Sequence, residues 1–87
     1  MLENVKLALR YRSSAFDAEL NIYINSCKAD LILGGVNEEK ITDTDDSVIS
    51  TVIAYCKWQL NFQEQGDRWD KIYKSLKTSL VLDSRYQ

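Results

Sequence analysis

Histidine and proline are absent from this chain, glycine occurs three times and cysteine twice. Without histidine the commonest general base, proton shuttle and metal ligand is missing, and no histidine-based triad can be assembled. Cys27 and Cys56 are far apart, with no histidine and no CxxC spacing, so they do not make a zinc site and read as small buried thiols in a reducing compartment. The lack of proline and scarcity of glycine favour long helices joined by few breaks. No apolar run is long and clean enough to span a bilayer. The net charge of −2 is too small and of the wrong sign for a protein held on duplex nucleic acid by phosphate contacts. The opening MLENVKLALRY has no uninterrupted apolar core and no small-residue cleavage site, so it does not read as a signal peptide and a cytosol is the expected compartment.

What is present is one stretch that organises the rest. Along DDSVISTVIAYCKWQLNF, from Asp45 to Phe62, helical spacing puts Ile49, Val52, Ile53, Cys56 and Leu60 in one stripe and Val48, Tyr55, Trp58 and Phe62 in another on roughly the opposite side. Only Ser50, Lys57 and Asn61 are left for water. A helix apolar almost all round is normally buried. It either runs through the middle of a bundle or offers one stripe to its own fold and the other to another subunit. With 87 residues the chain makes one domain, 1–87, which buries only about 60 to 65% of its unfolded surface, so oligomerisation is a natural supplement. Its 45% apolar and 28% charged residues are those of an ordinary globular chain.

Around that stretch the periodicity predicts an all-α fold, a small four-helix bundle with a short first helix, long second and third helices and an amphipathic last one. Leu2 to about Arg10 forms the first, with Leu2, Val5 and Leu9 on one side. Ser14 is the expected N-cap of a second helix from Ala15 to Leu33, about 28 Å long, with Asp17 in the capping-box position. Phe16, Leu20, Tyr23, Ile24, Cys27 and Leu31 form its inward stripe, and Gly34-Gly35 supplies the left-handed residue that ends it. GGVNEEKITDT is the one long loop, tacked to the core by Val36 and Ile41, and Asp43, Thr44 or Asp45 caps the third helix. Asp67 is the expected cap of the last helix, whose stripe is Trp69, Ile72, Tyr73, Leu76 and Leu80. Residues 81–87 read as a flexible tail that frays or docks elsewhere.

No catalytic, cofactor-binding or metal-binding constellation emerges. Asp43, Asp45 and Ser47 alternate as in a calcium loop, but the sixth position, Val48, should be glycine and the twelfth, Ala54, a bidentate glutamate. Helix capping explains those acids better. Charge is unevenly spread: residues 1–33 balance four acids with four bases, 34–50 carry five acids and one base, and 51–87 carry four acids and six bases. Solvated faces are the plainer reading of Lys71, Lys74 and Lys77, since no aromatic or arginine-rich segment accompanies them.

Three portions together resemble the head-tail connector, or adaptor, proteins of tailed bacteriophages and prophages. LENVKLALRY followed by AFDAELNIYINSCKADL is similar to the family's short first and long second helices. DTDDSVISTVIAYCKWQLNF is similar to its acidic cap and aliphatic-aromatic third helix. DRWDKIYKSLKTSLVLDSRY is similar to its last helix and short polar tail. The loop Gly35 to Ile41 departs in detail.

The resemblance implies a structural virion protein with no enzymatic activity and no cofactor. It implies a ring of about a dozen copies under the portal, joining the DNA-filled head to the tail. Its partners would be itself, the portal and tail or stopper proteins, with no membrane and no sequence-specific nucleic acid; its location would be the host bacterial cytoplasm during assembly and then the virion. A head-to-tail ring contact joins two different patches, which suits segregated charge. The expected interface therefore sets Glu38, Glu39, Asp43, Asp45 and Asp46 of one subunit against Lys71, Lys74 and Lys77 of the next, with Tyr55, Trp58 and Phe62 as either core or interface. The alternative is a small helical interaction or regulatory module of a prophage or bacterium that binds one target and does not close into a ring.

Overall fold

The computed structural model describes residues 1–87 as four α-helices with no strand: α1, Leu2–Leu9; α2, Asp17–Leu33; α3, Asp46–Gln59; and α4, Gly66–Leu82. The α3 helix is central. It packs most extensively on α4 and also against α2 and α1. Val48, Thr51, Val52, Ala54 and Cys56 of α3 are buried, facing Val5 and Leu9 of α1, Leu20, Ile24, Cys27 and Leu31 of α2, and Tyr73 and Leu80 of α4 in one core. Thr51 is the one buried polar side chain, and its hydroxyl donates to the Ser47 carbonyl at 2.8 Å. The strip left for water behaves as the spacing predicts at Ser50 and Asn61, which are exposed. Lys57 folds over instead, its ammonium 4.4 Å from the Trp69 ring centre and 5.1 Å from that of Phe62.

The helix ends differ from the sequence reading where side chains were expected to do the capping. Ser14 does not cap α2, which starts at Asp17 after Phe16 with no side-chain cap. Ser13 instead takes the Ala15 N–H within the preceding turn, and Asp17 pairs with Lys6 of α1 at 3.0 Å. The Asp17 carboxylate is thus drawn to a charge across the turn. Asp67 does not cap α4 either: the helix starts one residue earlier, and Asn61 Oδ1 accepts the Gly66 N–H at 2.8 Å. A Cβ on Gly66 would lie 2.6 Å from that same oxygen, which explains the glycine. At the end of α2, Gly35 takes a positive φ of 113°, its N–H reaching Ile32 O and the Val36 N–H reaching Leu31 O, with Val36 and Leu31 both buried. Of the three candidate caps for α3, Asp45 is the one used; its Oδ1 accepts from Ser47 N at 2.9 Å and Val48 N at 3.2 Å.

Residues 81–87, expected as a tail, are docked. The α4 helix runs through Leu82, a short turn follows over Ser84–Tyr86, and Tyr86 is only 8% exposed. Its hydroxyl donates to Asp45 Oδ2 at 2.8 Å and its carbonyl accepts the Asn37 N–H at 2.7 Å. The end of the chain is thus tied to the cap of α3 and to the long loop. The hydrogen bond from Tyr86 is the largest cause holding the Asp45 carboxyl below its ordinary 3.8, with the Val48 and Ser47 amides adding and burial opposing. A carboxyl lowered in this way contributes stability above its unfolded value, and the contribution is lost as pH falls through the folded value. Tyr86→Phe is expected to cost about 1 kcal/mol near neutral pH. That amounts to about 5 °C in a thermal melt of a domain this size. The gap from wild type should narrow below about pH 4; a gap that persists unchanged into strong acid would contradict the Tyr86–Asp45 link.

The α3–α4 link is strained. Asn61, Gln63 and Glu64 all have positive φ, 49°, 54° and 60°, in a stretch with no glycine. A side chain in this region costs on the order of 1 kcal/mol, so Gln63→Gly should raise the midpoint of urea unfolding by roughly 0.5–1 kcal/mol equivalent. A destabilised variant would show that the Gln63 side chain makes a contact worth more than the strain.

Candidate functional site

The helices deliver the expected interface residues unequally. Glu38 and Glu39 lie in a short turn, Glu38–Lys40, started by Asn37, and are exposed; neither carboxylate has an ion-pair partner. Asp46, the first residue of α3, is exposed as well. Asp43 lies 3.7 Å from the N-terminal ammonium. Asp45 is committed to the α3 cap and to Tyr86, so its carboxylate is occupied within the chain.

On α4 the three lysines do not form one free face. Lys71 is exposed and unpaired. Lys74 pairs with Asp70 at 3.1 Å, one helical turn back, and its ammonium lies 5.9 Å from the Trp58 ring centre. Lys77 is turned inward to Asp30 of α2 at 2.9 Å, and the Tyr73 hydroxyl donates to the same Asp30 oxygen at 2.5 Å. Burial raises the Asp30 pKa, but the Tyr73 and Lys77 hydrogen bonds outweigh it and leave the carboxyl below its ordinary range. Lys77 is therefore part of an α2–α4 staple. Its three-residue spacing from Lys74 carries it around the helix towards α2, which spacing alone did not reveal.

Tyr55, Trp58 and Phe62 are half-buried, and the first two are gathered around Tyr73. Tyr73 meets Tyr55 edge-on with ring centres 5.1 Å apart and stacks on Trp58 at 5.9 Å, while Tyr55 and Trp58 meet edge-on at 5.6 Å. Burial and the Asp30 hydrogen bond both raise the Tyr73 pKa, so the phenol stays a neutral donor. The inner edges of Tyr55 and Trp58 belong to the core, and their outer edges line a shallow groove with Ser26, Ala29, Asp30 and Leu33. Core and surface roles are shared by the same rings. Trp58→Ala is expected to destabilise the folded chain by about 2 kcal/mol, between full burial and full exposure. A loss beyond about 4 kcal/mol in urea unfolding would mark Trp58 as core alone.

One surface escaped the sequence reading. Besides its inward stripe, α2 carries Ala18, Ile22, Asn25, Ala29 and Ile32 at spacings of four, three, four and three residues, all exposed. That repeat is a helical seam in its own right. It was hidden because apolar residues on two faces of one helix blur the single stripe that would mark either. No group of three or more Cys, Asp or Glu side chains converges to hold a metal ion, and no helix is long and apolar enough to cross a membrane.

Among known proteins, a family model described as phage connector protein matches residues 1–87. No curated protein and no solved structure matches the chain.

Proposed function

Because the chain belongs to the phage connector protein family, we propose that it is a structural subunit of the head-tail junction, assembling in a ring beneath the portal and linking the DNA-filled head to the tail. The observation that carries this reading is the family match over the whole chain. In this reading the work is done by surfaces rather than by a reaction. The partners are other copies of the chain, the portal and a tail or stopper protein. The protein is assembled in the host bacterial cytoplasm and ends in the virion.

The ring contact sets the acidic loop of one subunit against α4 of the next. Glu38, Glu39 and Asp46 are the acids left free to act across it and Lys71 the free base, with Lys74 held only by its surface pair to Asp70, since Asp45 and Lys77 have partners across the fold. Charge of this kind governs encounter rate and register more than holding strength. The two patches lie apart along the molecule. Tyr86 ties the C-terminal end of α4 to the loop, and Lys71 precedes Leu82 by eleven residues, about 16 Å of helix.

Light scattering over a range of concentrations, on the protein alone and with the portal from the same genome, tests the reading. A closed species of about a dozen copies, free or on the portal, is expected. A monomer or dimer that ignores the portal would instead favour a small helical interaction module. The double variant Lys71→Glu, Lys74→Glu should raise the concentration for half-assembly roughly tenfold. Its helical content should be unchanged, because only the surface Lys74–Asp70 pair and the 5.9 Å approach of Lys74 to the Trp58 ring are lost within the chain. Reversing Glu38 and Glu39 to Lys in the same background should restore assembly, and unchanged assembly in the first variant would remove α4 from the contact.

A further inference from the structure

Six large apolar side chains stand exposed: Leu7, Phe16, Ile22, Ile32, Leu33 and Leu82. Scattered singly such residues mean little, but grouped ones mark a contact surface. Apart from Ile22, midway along α2, they fall into two groups. At the α1–α2 turn, Leu7 is 81% exposed and shares a surface with Tyr11, whose ring packs against Phe16 with centres 5.3 Å apart. At the far end of α2, Leu33 is 88% exposed beside Ile32, and Leu82 of α4, 75% exposed, lines a groove with the adjoining Gly34 and Val81 whose other side carries Lys74 and Lys77. Ala29, one turn before Leu33, leaves a hollow there.

The outer face of α2 from Asn21 to Leu33 has no charged residue among its exposed ones, although Asp30 borders the groove with its carboxylate held by Tyr73 and Lys77. Its exposed residues are Asn21, Ile22, Asn25, Ser26, Ala29, Ile32 and Leu33, while Lys28 and Asp30 are half-buried. A helix face meant for water carries charged groups, and one without them over three turns is suited to an apolar partner. Charge lies at the margins instead. Arg10 and Arg12 flank the first group, exposed and without ion-pair partners; Glu38 and Glu39 follow just beyond Leu33, equally free.

We infer that Leu7, Tyr11 and Phe16 of one copy seat on the Ala29, Ile32, Leu33 and Leu82 surface of a second copy, with Arg10 and Arg12 reaching Glu38 and Glu39 across the joint. The occupant is a second copy because the two surfaces complement each other in charge and the chain holds one of each. They lie at opposite ends of α2, which is about 25 Å long. A contact between two different patches can repeat head to tail from copy to copy, as a ring needs, or be made twice across a twofold axis, and only the first links more than two copies. This inference rests on the ring reading above for its head-to-tail arrangement, and for Glu38 and Glu39 it puts Arg10 and Arg12 in place of Lys71 and Lys74 as the partners.

Cysteine cross-linking tests it. Cys27 and Cys56 are buried and their thiols are pushed up to about 12 by burial, so cysteines added at the surface are the reactive ones. The full chain carrying Leu7→Cys and Leu33→Cys, assembled on the portal and treated with a short bis-maleimide, should give a covalent ladder of dimers, trimers and longer chains. Each single variant should give none. The two sites are too far apart for a short linker to join within one copy. Covalent dimers from Leu33→Cys alone would show α2 faces meeting each other and overturn the inference. So would the lack of a ladder in a preparation that light scattering shows to be assembled, an outcome that leaves the ring reading standing. If the wild-type chain never assembles with the portal, the ring reading fails and this contact fails with it.

Discussion

The rest of the fold depends on covering α3. A helix with apolar side chains on nearly all sides cannot lie on a surface, so α1, α2 and α4 are laid around it, and the inner stripes of those three helices are what that arrangement consumes. Inside it, Tyr73 is the hub. Its ring receives Tyr55 and Trp58, and its hydroxyl crosses to Asp30, where Lys77 arrives as well. An apolar packing problem and a polar satisfaction problem are thus met by one side chain. Replacing it by phenylalanine would keep the stacking but leave the Asp30 carboxylate with one donor fewer in a partly dry site.

The start of α3 is fixed by a second convergence. Asp45 closes the first turn of the helix and also receives the Tyr86 hydroxyl from the end of the chain. Because the Asn37 amide binds the Tyr86 carbonyl, the long loop, the α3 cap and the C-terminal turn hold one another in place. A domain of this size has little core to spare. Ordering a loop and a terminus against each other limits the conformational freedom that its few buried side chains must offset.

Most of the architecture was legible in the sequence, since the helices and most of their inward residues follow from apolar spacing; Phe16, expected on the inward stripe of α2, instead precedes the helix and stands exposed. What was not legible depends on choices that spacing does not fix. Asp17 and Asp67 had the residue type of helix-terminal acids, but Lys6 drew the first away and Asn61 reached Gly66 before the second could act. Tyr86 is a lone aromatic in a polar stretch, and no local pattern shows that its partner, Asp45, lies 41 residues earlier. Of the candidate site, the acidic loop was readable as a charged surface. The lysines were readable as a helix face only until Asp30 claimed Lys77, a pairing 47 residues apart in sequence.

The second face of α2 shows why an uncovered apolar surface is hard to see in a sequence. Burial and interface use the same side-chain types, so a helix that serves both looks like one that is merely apolar. Structure separates the two by showing which face is already covered. On this chain the covered face holds Leu20, Ile24, Cys27 and Leu31, and the uncovered one holds small and large apolar residues with amides and no charge. Charges confined to its ends act against misaligned pairing, since sliding along an apolar face costs little in burial but separates or opposes the charges at the margins. An apolar centre with charged ends can therefore be both adhesive and specific in register, which is what a subunit must be if each copy is to meet its neighbour at the same angle around a closed assembly.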